Sequence, residues 1–179
     1  MLIMILNPMA VRSDRAACTY FCASVHNKGP LPPMDGTFFL MLHSVLRYAL
    51  ILLLLASIAV SLRGLITKAP ILVIHRTITV WTVIAAHIQL VLGLILYFIR
   101  GSYALDHSTA IGRFWKMEHI GMMVIAIASI TIGRVLSKKA TDEYRKQLHI
   151  AVFFVIAMLL ILAAIPWPFL EIGHGRGWI

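Results

Sequence analysis

Four histidines stand out in this chain, one in each of its four long apolar runs: His43, His87, His119 and His149. Ionisable side chains are costly in lipid, so an intramembrane imidazole turns to the bundle interior, a partner or a ligand. One on every run points to a shared task, and the group that paired neutral imidazoles hold between helices is a haem iron. Arg47 follows His43 by four residues on the same helix face, and a guanidinium there suits an anionic propionate. Glu118 precedes His119 and offers an acceptor for an imidazole N–H, which would fix the ring's tautomer. Its plainer role is an ion pair with Lys116 or Arg113. Gln89 reads as a helix-to-helix hydrogen bond rather than a quinone contact. Met122 and Met123 read as packing residues rather than axial ligands.

The elements that must position these groups follow from hydropathy. The chain is 60% hydrophobic and 13% charged, with a mean hydropathy of +0.90, which excludes a soluble domain. Four runs are each long enough for a hydrocarbon core of roughly 30 Å. The expected spans are 38–62, 77–99, 114–136 and 148–170, forming an all-α, integral membrane, up-and-down four-helix bundle over 38–170. In the third, FWKMEHIGMMVIAIASITIGRVL, the uncharged part from Ile120 to Gly133 is too short to span, so the helix must take in Glu118 and His119. Counting on from His119 in threes and fours gives a stripe of Met122, Met123, Ala126, Ser129, Ile130 and Gly133. Its small members admit either a flat ligand or a neighbouring helix.

The flanks differ from the bundle. Residues 1–37 have no sustained period and end in a Pro/Gly cluster, which predicts an irregular tail. The run Met1 to Leu6 is too short for a signal peptide, and a start at Met41 or Met34 would leave this tail untranslated. Cys18 and Cys22, with His26, lack the C-x-x-C-H spacing of covalent haem attachment and read as plain thiols. Pro166 and Pro168 mark the end of the fourth span, and Trp167 an interfacial anchor. His107 reads as a solvated loop residue. A short tail, 171–179, closes the chain.

Charge gives an orientation. The net charge is +9, yet no basic run is interleaved with aromatics, so nucleic acid is not an expected partner. The first and third connections together carry eight Lys/Arg (Arg63, Lys68, Arg76, Arg134, Lys138, Lys139, Arg145 and Lys146), whereas the second holds Arg100 and Arg113. The positive-inside rule makes the first side cytoplasmic and places both termini outside.

Depth sorts the histidines. At about 1.5 Å per residue, His43 and His119 lie about 5 to 8 Å from the outer face, His87 near ~18 Å and His149 near ~26 Å. The first and third helices of such a bundle are diagonal, so His43 and His119 share a level across the core. The pair His87 and His149 is mismatched by about 8 Å on the same rise per residue, and a second haem there needs tilt or another ligand.

From Met41 onward, the pieces LHSVLRY, AHIQLVLGLILYF, FWKMEHIGMM, ITIGR with the following KKAT, and AIPWPF resemble a family of small four-helix bacterial membrane proteins known as cytochrome b. The resemblance spans all four helices and excludes the first 40 residues. It implies haem b bound through His43, His87 and His119, with Arg47, Gln89, Glu118 and Arg134 as accompanying positions, in the bacterial cytoplasmic membrane. The chain departs from the ascorbate-reducible transmembrane cytochromes b, which carry two histidines on each of two helices.

Three functions are compatible with these residues. The leading one is a haem protein carrying single electrons to or from a quinone or a redox protein, since an iron with two imidazoles has no open position. The second is a structural or assembly subunit of a larger membrane complex, whose histidines serve packing or proton handling. The third is a haem-dependent membrane enzyme of porphyrin oxidation. A homo-oligomer is compatible with each. No nucleophile–base pair, phosphate loop or metalloprotease helix is present, which argues against hydrolysis.

Overall fold

In lipid a backbone must satisfy its own N–H and C=O groups, and a continuous helix is how a single apolar run does so. The computed structural model describes residues 36–167, apart from Ala69, His107 and the side chain of Tyr103. Among them are four long helices, α1 (Thr37–Thr67), α2 (Val73–Ile99), α3 (Ala110–Lys139) and α4 (Glu143–Ala164), each long and apolar enough to cross a membrane. No strand occurs among the described residues. The chain is an all-α, multi-pass membrane protein. The expectations for the N-terminal tail, its cysteines and start site, for His107 and for the C-terminal tail lie outside the described residues.

The helices outrun the spans read from hydropathy, because the apolar run ends at the membrane edge whereas the helix ends at a backbone signal. α1 continues past Arg63 to Lys68, which adopts the left-handed conformation (φ 52°) two residues before Pro70. α2 begins at Val73, so His75 and Arg76 belong to its first turn rather than to a connection. Thr109 caps α3, its Oγ1 accepting from the Gly112 N–H at 3.0 Å, and Asp142 caps α4 by accepting from the Arg145 N–H at 3.2 Å. The fourth span is corrected most: it covers 143–164 rather than 148–170. Pro166 disfavours helical backbone at Ile165, which is extended (φ −75°, ψ 126°).

α1 packs against α2 and α4, and α3 against the same two, so α1 and α3 are diagonal, as are α2 and α4. Leu54, Ile130 and Phe154 are fully buried at the centre. A polar pair joins them: Ser57 and Thr82, both buried, lie 2.9 Å apart. The Thr82 hydroxyl also donates to the Ile78 carbonyl at 2.9 Å, which leaves Ser57 as the donor between the two. Outward faces carry Leu52, Leu55, Trp81, Val91, Phe98 and Ile125, so the bundle is apolar outside as well as inside, as a membrane requires.

The closest seam lies between α3 and α4. Ser129 Oγ donates to the Phe153 carbonyl at 2.8 Å. A Cβ added at Gly133 would lie 2.6 Å from Phe153 Cβ and 3.3 Å from the His149 carbonyl oxygen. The small-residue stripe of α3 is therefore filled by a helix.

Candidate functional site

His43 lies in the second turn of α1, facing α2. Gln89, buried on α2, donates from Nε2 to the His43 carbonyl at 2.7 Å and ties the two backbones at this level. One turn further along α2, Gly93 leaves room for the imidazole: a Cβ there would sit 3.2 Å from His43 Cε1 and 3.8 Å from Nδ1. The Nδ1 atom of His43 is buried and has no hydrogen-bond partner among the described residues. Buried polar atoms are nearly always satisfied, so an orphan of this kind calls for an explanation.

His119 enters from α3 at the same end of the bundle. It follows a π-helical turn, Phe114–Glu118, and its own N–H reaches back five residues to the Phe114 carbonyl. Such turns concentrate at functional sites. The rings of Trp115 and Phe114 stand 5.4 and 5.9 Å from the imidazole, centroid to centroid. Nδ1 of His119 lies 2.9 Å from the Ala164 carbonyl oxygen. A carbonyl only accepts, so Nδ1 carries the proton and Nε2 keeps its lone pair.

The end of α4 explains why that carbonyl is available. The last four C=O groups of a helix lack intrahelical donors, and proline offers no N–H. Pro166 and Pro168 stand four residues after Leu162 and Ala164. The indole of Trp167 donates to the Leu162 carbonyl at 3.0 Å, and His119 serves Ala164. The tryptophan thus does more than anchor an interface: it satisfies one late carbonyl of α4, while the last, that of Ala164, takes an imidazole from another helix.

His43, beside Gln89 and Gly93 near the end of α2, and His119, at the Ala164 carbonyl that ends α4, lie at the same end of the bundle, with Arg47 one turn from His43. Arg47 is half-buried, with Nη2 donating to Tyr48 Oη at 3.1 Å and Cζ 4.7 Å from the centre of that ring. No family model matches this chain, and no curated protein or solved structure does either. The assignment of chemistry therefore rests on these side chains. Among the described residues no three or more His, Cys, Asp or Glu gather, and what this end of the bundle offers is two imidazoles, with a guanidinium one turn from His43.

The structure decides where Glu118, His87 and His149 stand. Of the two roles read for Glu118, the ion pair holds: its carboxylate, 44% exposed, pairs with Arg113 Nε at 3.0 Å, and the Ala164 carbonyl bonds the His119 imidazole instead. His87 is exposed on the outer face of α2, and its Nδ1 lies 2.8 Å from the carbonyl of Val83 on its own helix. A midplane imidazole can thus be satisfied without entering the core. His149 is half-buried on α4 with Nδ1 buried and without a partner among the described residues. Because His87 turns outward, the two do not converge within one chain. Gly93 and Ala164 escaped the sequence reading. Gly93 was signalled by its place four residues after Gln89, where a missing side chain on a pinned face leaves a gap.

Proposed function

We propose that this protein is a b-type haem carrier of the bacterial cytoplasmic membrane that passes single electrons to or from a quinone or a redox protein. The observation that supports it most is the placement of His43 and His119 on diagonal helices at one end of the bundle, with Arg47 one turn from His43. The residues fit the group. His43 brings an unsatisfied buried ring nitrogen, and His119 a fixed tautomer with Nε2 free. Arg47 supplies the cation for a propionate. A haem held there by His43 and His119 would supply one-electron chemistry. The protein's own part is to hold the rings, exclude water with Phe114 and Trp115, and keep Arg47 in place. The positive-inside rule puts this end of the bundle at the outer face, within reach of a periplasmic partner.

The test is the visible spectrum of detergent-purified protein, oxidised and then reduced with dithionite. A sharp reduced α band is expected. A folded protein that stays colourless after expression with excess haem overturns the reading.

A finer result is expected of Gly93→Ala. The added methyl meets the His43 ring at 3.2 Å, closer than ordinary packing, so the imidazole must turn by a few tenths of an ångström. Disturbing the support of a ligand costs about 10–100-fold in affinity, and haem retention falls toward that range while helicity is kept. Haem titration followed by circular dichroism checks both halves.

A further inference from the structure

At the end of the bundle opposite His43 and His119, the helices part around a cavity of about 290 Å³. That is near the lower size of small-ligand sites, about 300 Å³. Four cations, Arg76, Arg134, Lys138 and Lys146, line it against a single carboxylate, Glu143. Buried hydroxyls of Ser61, Thr79 and Ser137 form the inner wall.

The carboxylate is already engaged. Lys146 Nζ meets Glu143 Oε1 at 2.6 Å, and the Ile71 N–H donates to Oε2 at 3.1 Å, which fastens the α1–α2 connection to α4. Lys146 is thereby neutralised, and the two guanidiniums are not. Arg76 and Arg134 line the same cavity, and among the described residues no carboxylate lies within ion-pair distance of either. Arg76 feels Glu143 only at longer range. Arg134 is half-buried, so water screens it incompletely. α2 and α4 both begin at this end, and helix N-termini present N–H groups and positive dipole ends to anions.

Two guanidiniums lining one cavity repel, an anion between them relieves this, and a tetrahedral group whose oxygens match their paired N–H donors is a phosphate. We propose that this cavity binds a phosphate-ester anion, gripped by Arg76 and Arg134. The same chemistry is offered by an anionic phospholipid headgroup at the basic face of the membrane and by a soluble phosphate ester. The proposal is independent of haem.

The test uses the full-length protein in a neutral detergent, with thermal unfolding and native mass spectrometry as readouts. Phosphatidylglycerol, phosphatidylcholine and glycerol 3-phosphate are titrated separately. Stabilisation by phosphatidylglycerol beyond phosphatidylcholine identifies a lipid headgroup, and stabilisation by glycerol 3-phosphate alone a soluble ester. The variant R76Q/R134Q is expected to weaken either by about tenfold or more, since each charge-assisted contact is worth about that much. Arg134→Lys, which keeps the charge but not the fork, falls between. Should the double variant not fold, Arg76→Gln alone carries the comparison, because Arg76 is exposed. No stabilisation by either anionic probe, or equal stabilisation of parent and variants, overturns the proposal.

Discussion

On the haem reading proposed above, His119→Ala is expected to remove the reduced α band. His119 is the imidazole whose orientation is fixed at both ends, by the Ala164 carbonyl on Nδ1 and by the rings of Phe114 and Trp115 around it. Removing even a supporting partner of a metal ligand costs about 10–100-fold, so loss of the ligand is expected to cost at least ~100-fold in haem retention. His43→Ala behaves alike. His87→Ala leaves the spectrum unchanged, since that ring faces outward and bonds its own helix. Added imidazole should restore part of the band in His119→Ala, which a purely structural role for the residue would not allow. A band that survives both His43→Ala and His119→Ala would show that haem, if bound, is held elsewhere.

Gly133→Ala is the largest expected loss of stability. Its methyl carbon would arrive 2.6 Å from Phe153 Cβ, an atom fixed to the α4 backbone and unable to swing aside. The helices must separate, which also stretches the 2.8 Å bond from Ser129 to the Phe153 carbonyl. Overpacking of this kind costs about 1–3 kcal/mol. Loss of helical circular dichroism on heating in detergent measures it. Phe153→Ala removes the ring beyond the contact but leaves the Cβ, so it restores little. Phe153→Gly clears the Cβ, and the double variant G133A/F153G should then lose less than the sum of the two single changes. Strict additivity would mean that the two positions do not touch.

The fold was legible because lipid imposes one rule along each span, and counting apolar residues locates the interior of all four helices. Their ends were not, because capping by Thr109 and Asp142 or the left-handed turn at Lys68 concerns the backbone and not hydropathy. His75 was hidden for this reason, taken into a connection when it stands in the first turn of α2 and lines the basic cavity. The common level of His43 and His119 could be counted, since rise per residue is fixed. The direction of each ring could not, because a helix of nearly uniform hydrophobicity gives no clue to which face turns inward. His87 turned away from the place foreseen for it. The alternatives for Ser129 and Gly133, ligand or helix, were equal in sequence and were decided by Phe153, which sits on another helix.

The wide turn from Phe114 to Glu118 also brings Arg113 and Glu118, five positions apart, onto one face, a spacing that suits this geometry better than an ordinary helix. It acts as a rotary joint one residue long. Losing that residue would swing everything ahead of it by about 100°, while the portion locked to α4 stayed put. Insertion or deletion here can retune the covering of an imidazole without disturbing the rest of the bundle, an adjustment that exchanging side chains one at a time does not provide.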